Sequence, residues 1–503
     1  MFGKIYSFGV MGIDGYVVTV EVHISGGLPA FEIVGLPDNA VKEARERVRS
    51  AIKNSGISYP ASRITVNLAP ADVKKSGAVY DMPVLLGILC AKGDLPRPDA
   101  GFAFAGQLSL DGYLRGVPGI LSMAIAAKEK GFTHFFVPAD NANEAAAVDG
   151  LTVIPVDSVK NLIAHLKGEK AIPPHIYQPA EAAEELLDFC DVKGQEEAKR
   201  ALEIAAAGAH NIMMIGPPGS GKSMLAKRLP SILPPLTRAE SVQTTKIYSV
   251  SGLLEKNSGL VTKRPFRSPH HTVSAAALTG GGNNPRPGEI SLANNGVLFL
   301  DEFPQFHRDV LESLRAPLED GVVTISRVNY SRTYPSNIML VAAMNPCPCG
   351  YFGCENHVCT CTENKRLSYL GRISGPMMDR IDLHVNLEDV NWEDLTSQST
   401  GEKSRRILKR VIAARDIQRA RFAGTDINTN SDIPPKYMDK FCPVSQKGRQ
   451  VLKKVFENMN LSARSYDKVL KVSRTIADLD GCAQINEEHI LEAVQYRNLD
   501  RMR

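Results

Sequence analysis

Gly216-Pro217-Pro218-Gly219-Ser220-Gly221-Lys222-Ser223 follows the apolar run Ile212–Ile215 and leads into Met224, Leu225, Ala226 and Leu229 at helical spacing. Strand, glycine loop and helix in that order make a phosphate cradle. The glycines let backbone N–H groups converge on an anion at a helix N-terminus. In such a cradle Lys222 reaches the β- and γ-phosphates of ATP and Ser223 ligates Mg²⁺. A chance glycine turn would lack the flanking strand and helix.

The next signal outward is Gly296-Val-Leu-Phe-Leu-Asp-Glu302, an apolar strand ending in two acids. A parallel strand delivers its C-terminal residues to the ligand crevice of an α/β sheet. Asp301 can hold Mg²⁺ through water, and Glu302 can polarise an attacking water. A third apolar strand, 338–344, ends at Asn345, whose amide can orient that water; a turn asparagine is the plain alternative.

Composition sets the outer limits. The chain has 503 residues, with 43% hydrophobic and 23% charged residues, an ordinary balance for a soluble protein of several domains. A net charge of +4 permits nucleic-acid binding without requiring it. The longest apolar run, 82–91, is too short for a bilayer. At the N-terminus Tyr16, Val18, Val20 and Val22 alternate with polar residues, which is a strand and not a signal peptide. A cytoplasmic protein with no membrane partner is expected.

Residues 1–168 read as an α/β domain, with strands near 4–11, 16–24, 62–68, 102–109 and 133–137. Helices are expected at 81–92, 120–130 and 157–167, and a further one starts after Asp38 with Val41, Ala44, Val48 and Ile52 facing inward. Residues 169–185 are a proline-rich linker, 186–390 hold the nucleotide motifs, and 391–503 are helical and charged.

These residues resemble the AAA+ ATPases, and within them the magnesium-chelatase-like group. The resemblance is carried by 285–302, by Leu311-Glu-Ser-Leu-Arg-Ala-Pro-Leu-Glu319 and by Gly375-Pro-Met-Met-Asp-Arg-Ile-Asp-Leu-His384. Nearly the whole chain looks like the bacterial ComM/YifB family. The resemblance implies a Lon-protease-like α+β domain at the N-terminus, a three-layer αβα ATPase core and a C-terminal helical lid. It implies that Asn345 is the first sensor, and that Arg380, rather than Arg372, is the finger reaching a neighbouring subunit. Arg464 matches the second sensor. A finger acting in trans requires a head-to-tail ring, for which the family's usual closure is a hexamer.

Lys74-Lys-Ser-Gly-Ala-Val-Tyr-Asp-Met-Pro83 looks like the segment bearing the nucleophilic serine of Lon-type proteases, and 104–121 like the one bearing their lysine. The two reactive positions fall on Val79 and Leu121, and Ser76 has no lysine partner. A scaffold without protease activity is expected.

Cys347, Cys349, Cys354, Cys359 and Cys361, with His357, lie just beyond Asn345. Four thiolates, or three with His357, would close a tetrahedral Zn²⁺ site; the spacing leaves open which four bind and leaves unmetallated thiols as the alternative. Two stretches could grip a polymer in a pore. They are the glycine-rich 267–285 and a hairpin at 322–333 carrying Arg327, Tyr330 and Arg332, residues suited to phosphate contact and base stacking. The basic run 403–421 reads as a solvated helix face. Similarity to the ComM/YifB family implies a hexameric motor on single-stranded or branched DNA, a branch-migration helicase aiding integration of transforming strands. A protein-remodelling ATPase of magnesium-chelatase type is the competing expectation.

Overall fold

The computed structural model describes residues 1–179, 187–282, 285–327, 330–354, 357–388, 401–459 and 462–497. The chain divides into two compact units, Met1–Ala183 with Arg238–Thr262, and Glu184–Thr237 with Lys263–Arg503.

The first unit is built on a seven-stranded sheet. Its strands lie in the order Ala30–Val34, Arg63–Ala69, Asp14–Ser25, Phe2–Met11, Phe102–Phe104, His134–Pro138 and Thr152–Val156. Alternation along Asp14–Ser25 buries Val18, Val20, Val22 and Ile24, as a period of two requires. Asp38 caps a short helix, accepting from Val41 N at 2.9 Å. The chain then breaks at Glu43 and resumes as Ala44–Asn54, so the expected single helix is two, with Val41, Ala44, Val48 and Ile52 all buried. Helix Asp81–Lys92 is buried from Asp81 to Ala91, which explains its unbroken apolar sequence.

Two strands carry no clear signal in the sequence. Ala30–Val34 has no fully buried residue and so shows little hydrophobic pattern. Thr152–Val156 contains Pro155, tolerated because the strand is at the sheet edge. The strand expected over 102–109 is shorter, with Gln107–Leu108 pairing instead with Leu114–Arg115. Residues 238–262, which lie in sequence between the phosphate loop and the acid-bearing strand, cluster with this first unit. Helix Arg238–Ser251 sits on helix Ile120–Glu129, and Gly119 N donates to Ser249 O and Oγ at 3.1 and 3.0 Å.

The second unit has a five-stranded parallel sheet. Phe266–Arg267, Gly296–Leu300, Ile338–Met344, Ile212–Ile215 and Leu383–Asn386 lie side by side in that order. Its C-terminal part is helical: Ser404–Arg421, Gln446–Met459, Ala463–Leu479 and Glu487–Gln495. The basic run is helix Ser404–Arg421, packed on helix Glu196–Gly208. Several of its arginines serve the fold. Arg410 pairs with Glu203 and Glu402, Arg415 donates to Ala206 O, and Arg421 pairs with the buried Asp478. Among the described residues, no helix is long and apolar enough to cross a membrane.

Candidate nucleotide site

Three of the parallel strands bring the motifs together. The phosphate loop begins where Gly216 N donates to Met344 O at 3.2 Å, which ties it to the end of the strand leading to Asn345. Gly219 and Gly221 take φ of +85° and +89°, conformations a side chain would strain, before helix Lys222–Arg228 starts. Ser223 Oγ donates to Asp301 Oδ2 at 2.6 Å, across 78 residues of sequence. A hydroxyl and a carboxylate at that separation fit a shared Mg²⁺, a hard cation that takes oxygen ligands.

Lys222 is buried, with its Nζ 2.7 Å from both Gly216 O and Pro217 O. Burial lowers its pKa, and the charges of Asp301 and Cys354 work against that shift. An ammonium hydrogen-bonded to neutral oxygens in a buried loop is matched to an incoming polyphosphate.

Glu302 lies in the left-handed region at φ +52° and donates its N–H to Asp301 Oδ1 at 2.9 Å. That backbone costs about 1–2 kcal/mol in a residue other than glycine. The conformation turns the chain from the strand into the short turn Phe303–Gln305. Its carboxylate is 3.1 Å from His271 Nδ1. Sequence reasoning missed this role for His271, which stands 31 residues upstream in the stretch 267–285 read there as a possible polymer grip.

Asn345 follows the central strand, and its backbone is hydrogen-bonded with the Tyr369 hydroxyl. Gln195 was also missed. It bridges two loops, donating to Ser220 O at 3.3 Å and to Glu388 O at 2.7 Å, from a left-handed backbone at φ +59°. Its nearest signal in the sequence is Gly194, which favours such a turn.

The arginines are placed differently. Arg380 is drawn inward, with its guanidinium on Glu319 and its Nη1 donating to Pro376 O at 2.6 Å. Arg464, two-thirds exposed, is 3.6 Å from Asp379. Arg372 lines a cavity of about 580 Å³ with Gln305, Pro348, Asn364, Lys365 and Tyr369. Lys468 donates to Ile381 O at 2.7 Å and pairs with Asp382 at 3.4 Å. Burial opposes ionisation of Asp382, but Lys468 and His210 outweigh it and hold the carboxyl well below the usual range.

Of the cysteines, Cys347, Cys349, Cys359 and Cys361 bring their sulfurs within 4.8 Å of one another, a set that fits a metal ion. Cys354 stands outside this group of four, on a turn where its N–H reaches Tyr351 O at 3.3 Å. The backbone N–H of Tyr351, with the Cys347 thiol, holds the Cys349 thiol down at about 5. Both stretches suited to a polymer form two-stranded pieces. Gly280–Gly281 pairs with Arg286–Pro287, and Val322–Arg327 with Tyr330–Pro335. Tyr334 donates to Pro285 O at 3.1 Å, so the two are packed together. Arg332 is half-buried, whereas the side chains of Arg327 and Tyr330 lie outside the described residues.

Profiles of known families cover this architecture in three parts. "Magnesium chelatase, subunit ChlI" matches residues 188–395, "Subunit ChlI of Mg-chelatase" 20–141, and "Magnesium chelatase, subunit ChlI C-terminal" 401–497. "Competence protein ComM" of Haemophilus influenzae is 42% identical over 506 residues, covering 99% of this chain and 98% of its own. The chain belongs to the ComM/YifB family. "Uncharacterized protein YifB" of Salmonella typhimurium and of Escherichia coli are each 42% identical, over 99% of this chain and 97% of theirs. As a magnesium-chelatase-like member of that family, the chain is an AAA+ ATPase, a class that uses ATP and Mg²⁺.

Proposed function

We propose that this ATPase is a hexameric motor acting on DNA, a branch-migration helicase that promotes integration of transforming single strands by homologous recombination. The observation that carries the reading is similarity along the whole chain to a protein named for competence, spanning the N-terminal unit and the cysteine loop as well as the ATPase core. The packed pair of two-stranded elements, with half-buried Arg332, offers a grip for phosphates and bases.

Each residue has a role in that reading. Backbone N–H groups of Gly219, Ser220 and Gly221, together with Lys222, hold the polyphosphate, while Ser223 and Asp301 would hold Mg²⁺, which would neutralise charge developing on the phosphates. Glu302 takes a proton from the attacking water, and Asn345 orients that water. Arg380 leaves Glu319 to meet the neighbouring subunit's γ-phosphate, and Arg464 contributes from the lid. Four cysteines hold a structural Zn²⁺. Val79 and Leu121 leave the N-terminal unit without a nucleophile or base, so it serves assembly or partner docking and not proteolysis.

The test is ATP turnover with and without single-stranded and branched DNA, across a salt series, for wild type and Glu302→Gln. Strong stimulation that fades with salt and is lost in the variant supports the motor. Robust turnover indifferent to every DNA sinks it and points to protein clients. Degradation of casein by the pure protein would overturn the non-proteolytic reading.

A further inference from the structure

The cysteine loop touches the phosphate loop. Cys347 Sγ is 3.3 Å from Cys349 Sγ and 3.7 Å from Cys359 Sγ, and the last two are 3.6 Å apart. With Zn–S bonds of about 2.3 Å, a tetrahedron places its sulfurs about 3.8 Å apart. The thiols therefore stand close to the edge length of a tetrathiolate site, and all are free of disulfides.

This loop has little else to define it. Among the described residues, no helix or strand lies between Met344 and Glu363. So long an excursion costs conformational entropy, and a bound metal can offset that cost. Within it the chain turns at Gly350, where N–H donates to Cys347 O at 3.0 Å and φ is +93°. A Cβ on Gly350 would stand 2.7 Å from Pro218 Cδ and 3.9 Å from Asn345 Nδ2. Backbone of the cysteine loop thus rests directly on the proline ring inside the phosphate cradle.

We propose that Cys347, Cys349, Cys359 and Cys361 hold one Zn²⁺, and that this ion braces the phosphate loop through the Gly350–Pro218 contact, so that metal occupancy sets nucleotide affinity. The inference rests on the reading of 216–223 as the ATP cradle. Cys347 ties the cysteine loop to the sheet. It is fully buried, two residues beyond Asn345, and fixed to the end of the central strand. Metal held there orders Gly350 three residues on; without metal, Gly350 is free to leave Pro218, and the cradle loses one wall.

The experiment uses the full chain. Metal content is measured by elemental analysis, and the affinity for a fluorescent ATP analogue by titration before chelation, after it, and after Zn²⁺ is restored. The expected result is one Zn²⁺ per chain, with affinity weakened about tenfold on its removal and recovered on its return, the scale of one lost close-packed contact. Gly350→Ala perturbs the brace directly, through backbone strain at φ +93° and the close approach of its Cβ to Pro218. It leaves every thiol in place, and should keep the metal and a cooperative thermal transition while weakening the analogue similarly. Protein that binds the analogue equally well without metal overturns the proposal, as does Gly350→Ala with unchanged affinity. Lys222→Ala keeps the two readings apart. If it leaves analogue binding intact, the cradle itself is misassigned; if it abolishes binding while metal removal does nothing, only the brace fails.

Discussion

The two units treat their reactive positions in opposite ways. In the first, the positions where the resemblance to Lon-type proteases would put a serine and a lysine carry Val79 and Leu121, both buried. Leu121 lies in an apolar cluster with Leu260, and Val242 and Tyr177 pack against it. Segment 238–262, inserted in sequence between the phosphate loop and the acid-bearing strand, therefore packs over Leu121. In the second unit the ends of the parallel strands keep costly groups: buried Lys222, Asp301 on Ser223, and Glu302 on a strained backbone. Burying an ammonium or straining a backbone is destabilising, so the gathering of such groups around one loop marks a candidate site. Val79 and Leu121, by contrast, are packing surface.

The largest expected effect sharpens the second half of this contrast. Arg380→Ala should lower ATP turnover about 10³-fold or more if the arginine acts across subunits, with analogue affinity retained. If Arg380 serves only its pairing with Glu319, Glu319→Ala will match it and the change will appear in the melting temperature instead. The next tests the first half. Val79→Ser with Leu121→Lys should not create a peptidase, and should destabilise the first unit by about 4 kcal/mol, the cost of a pKa depression of about three units for a buried lysine. Denaturant melts check the stability and casein checks the activity; proteolysis by the double variant would break the comparison outright.

A third prediction concerns pH. Burial pushes Glu144 up from 4.5 to about 7, although Ser249 on the inserted segment and Asn141 favour the carboxylate. Below pH 4.5 both folded and unfolded chains hold this proton, and no penalty applies. Between 4.5 and about 7 the unfolded chain ionises first, so stability falls as pH rises, by at most about 3 kcal/mol. Above about 7 the penalty is constant. Glu144→Gln should flatten this part of the melting profile between about pH 5 and 8. The smallest effect belongs to His271. A carboxylate held by a partner must leave it to take a proton from water. His271→Ala should therefore raise basal turnover, by no more than about fivefold, since a partly exposed pair contributes at most about 1 kcal/mol. A fall in turnover would show that His271 supports Glu302 instead.

Much of the nucleotide site is legible in the amino-acid sequence. The phosphate loop, the strand before it and the acid pair are contiguous stretches, and local periodicity gives strand or helix to each. Val41, Ala44, Val48 and Ile52 keep their helical face through a break at Glu43. Less legible are groups whose partners are remote. His271 and Gln195 act through contacts that no local pattern announces. The cysteine spacing leaves several ligand sets open, and only the folded loop singles out four sulfurs.

Local periodicity and residue identity set the chemistry on offer: which side chains stand at strand ends, which positions lack a nucleophile, and which family the chain belongs to. Packing in three dimensions decided the rest. It put residues 238–262 over Leu121, His271 against Glu302 and Gly350 on Pro218. Each of those joins residues distant along the chain, and such contacts are chosen by how whole surfaces pack, which no short stretch of chain encodes.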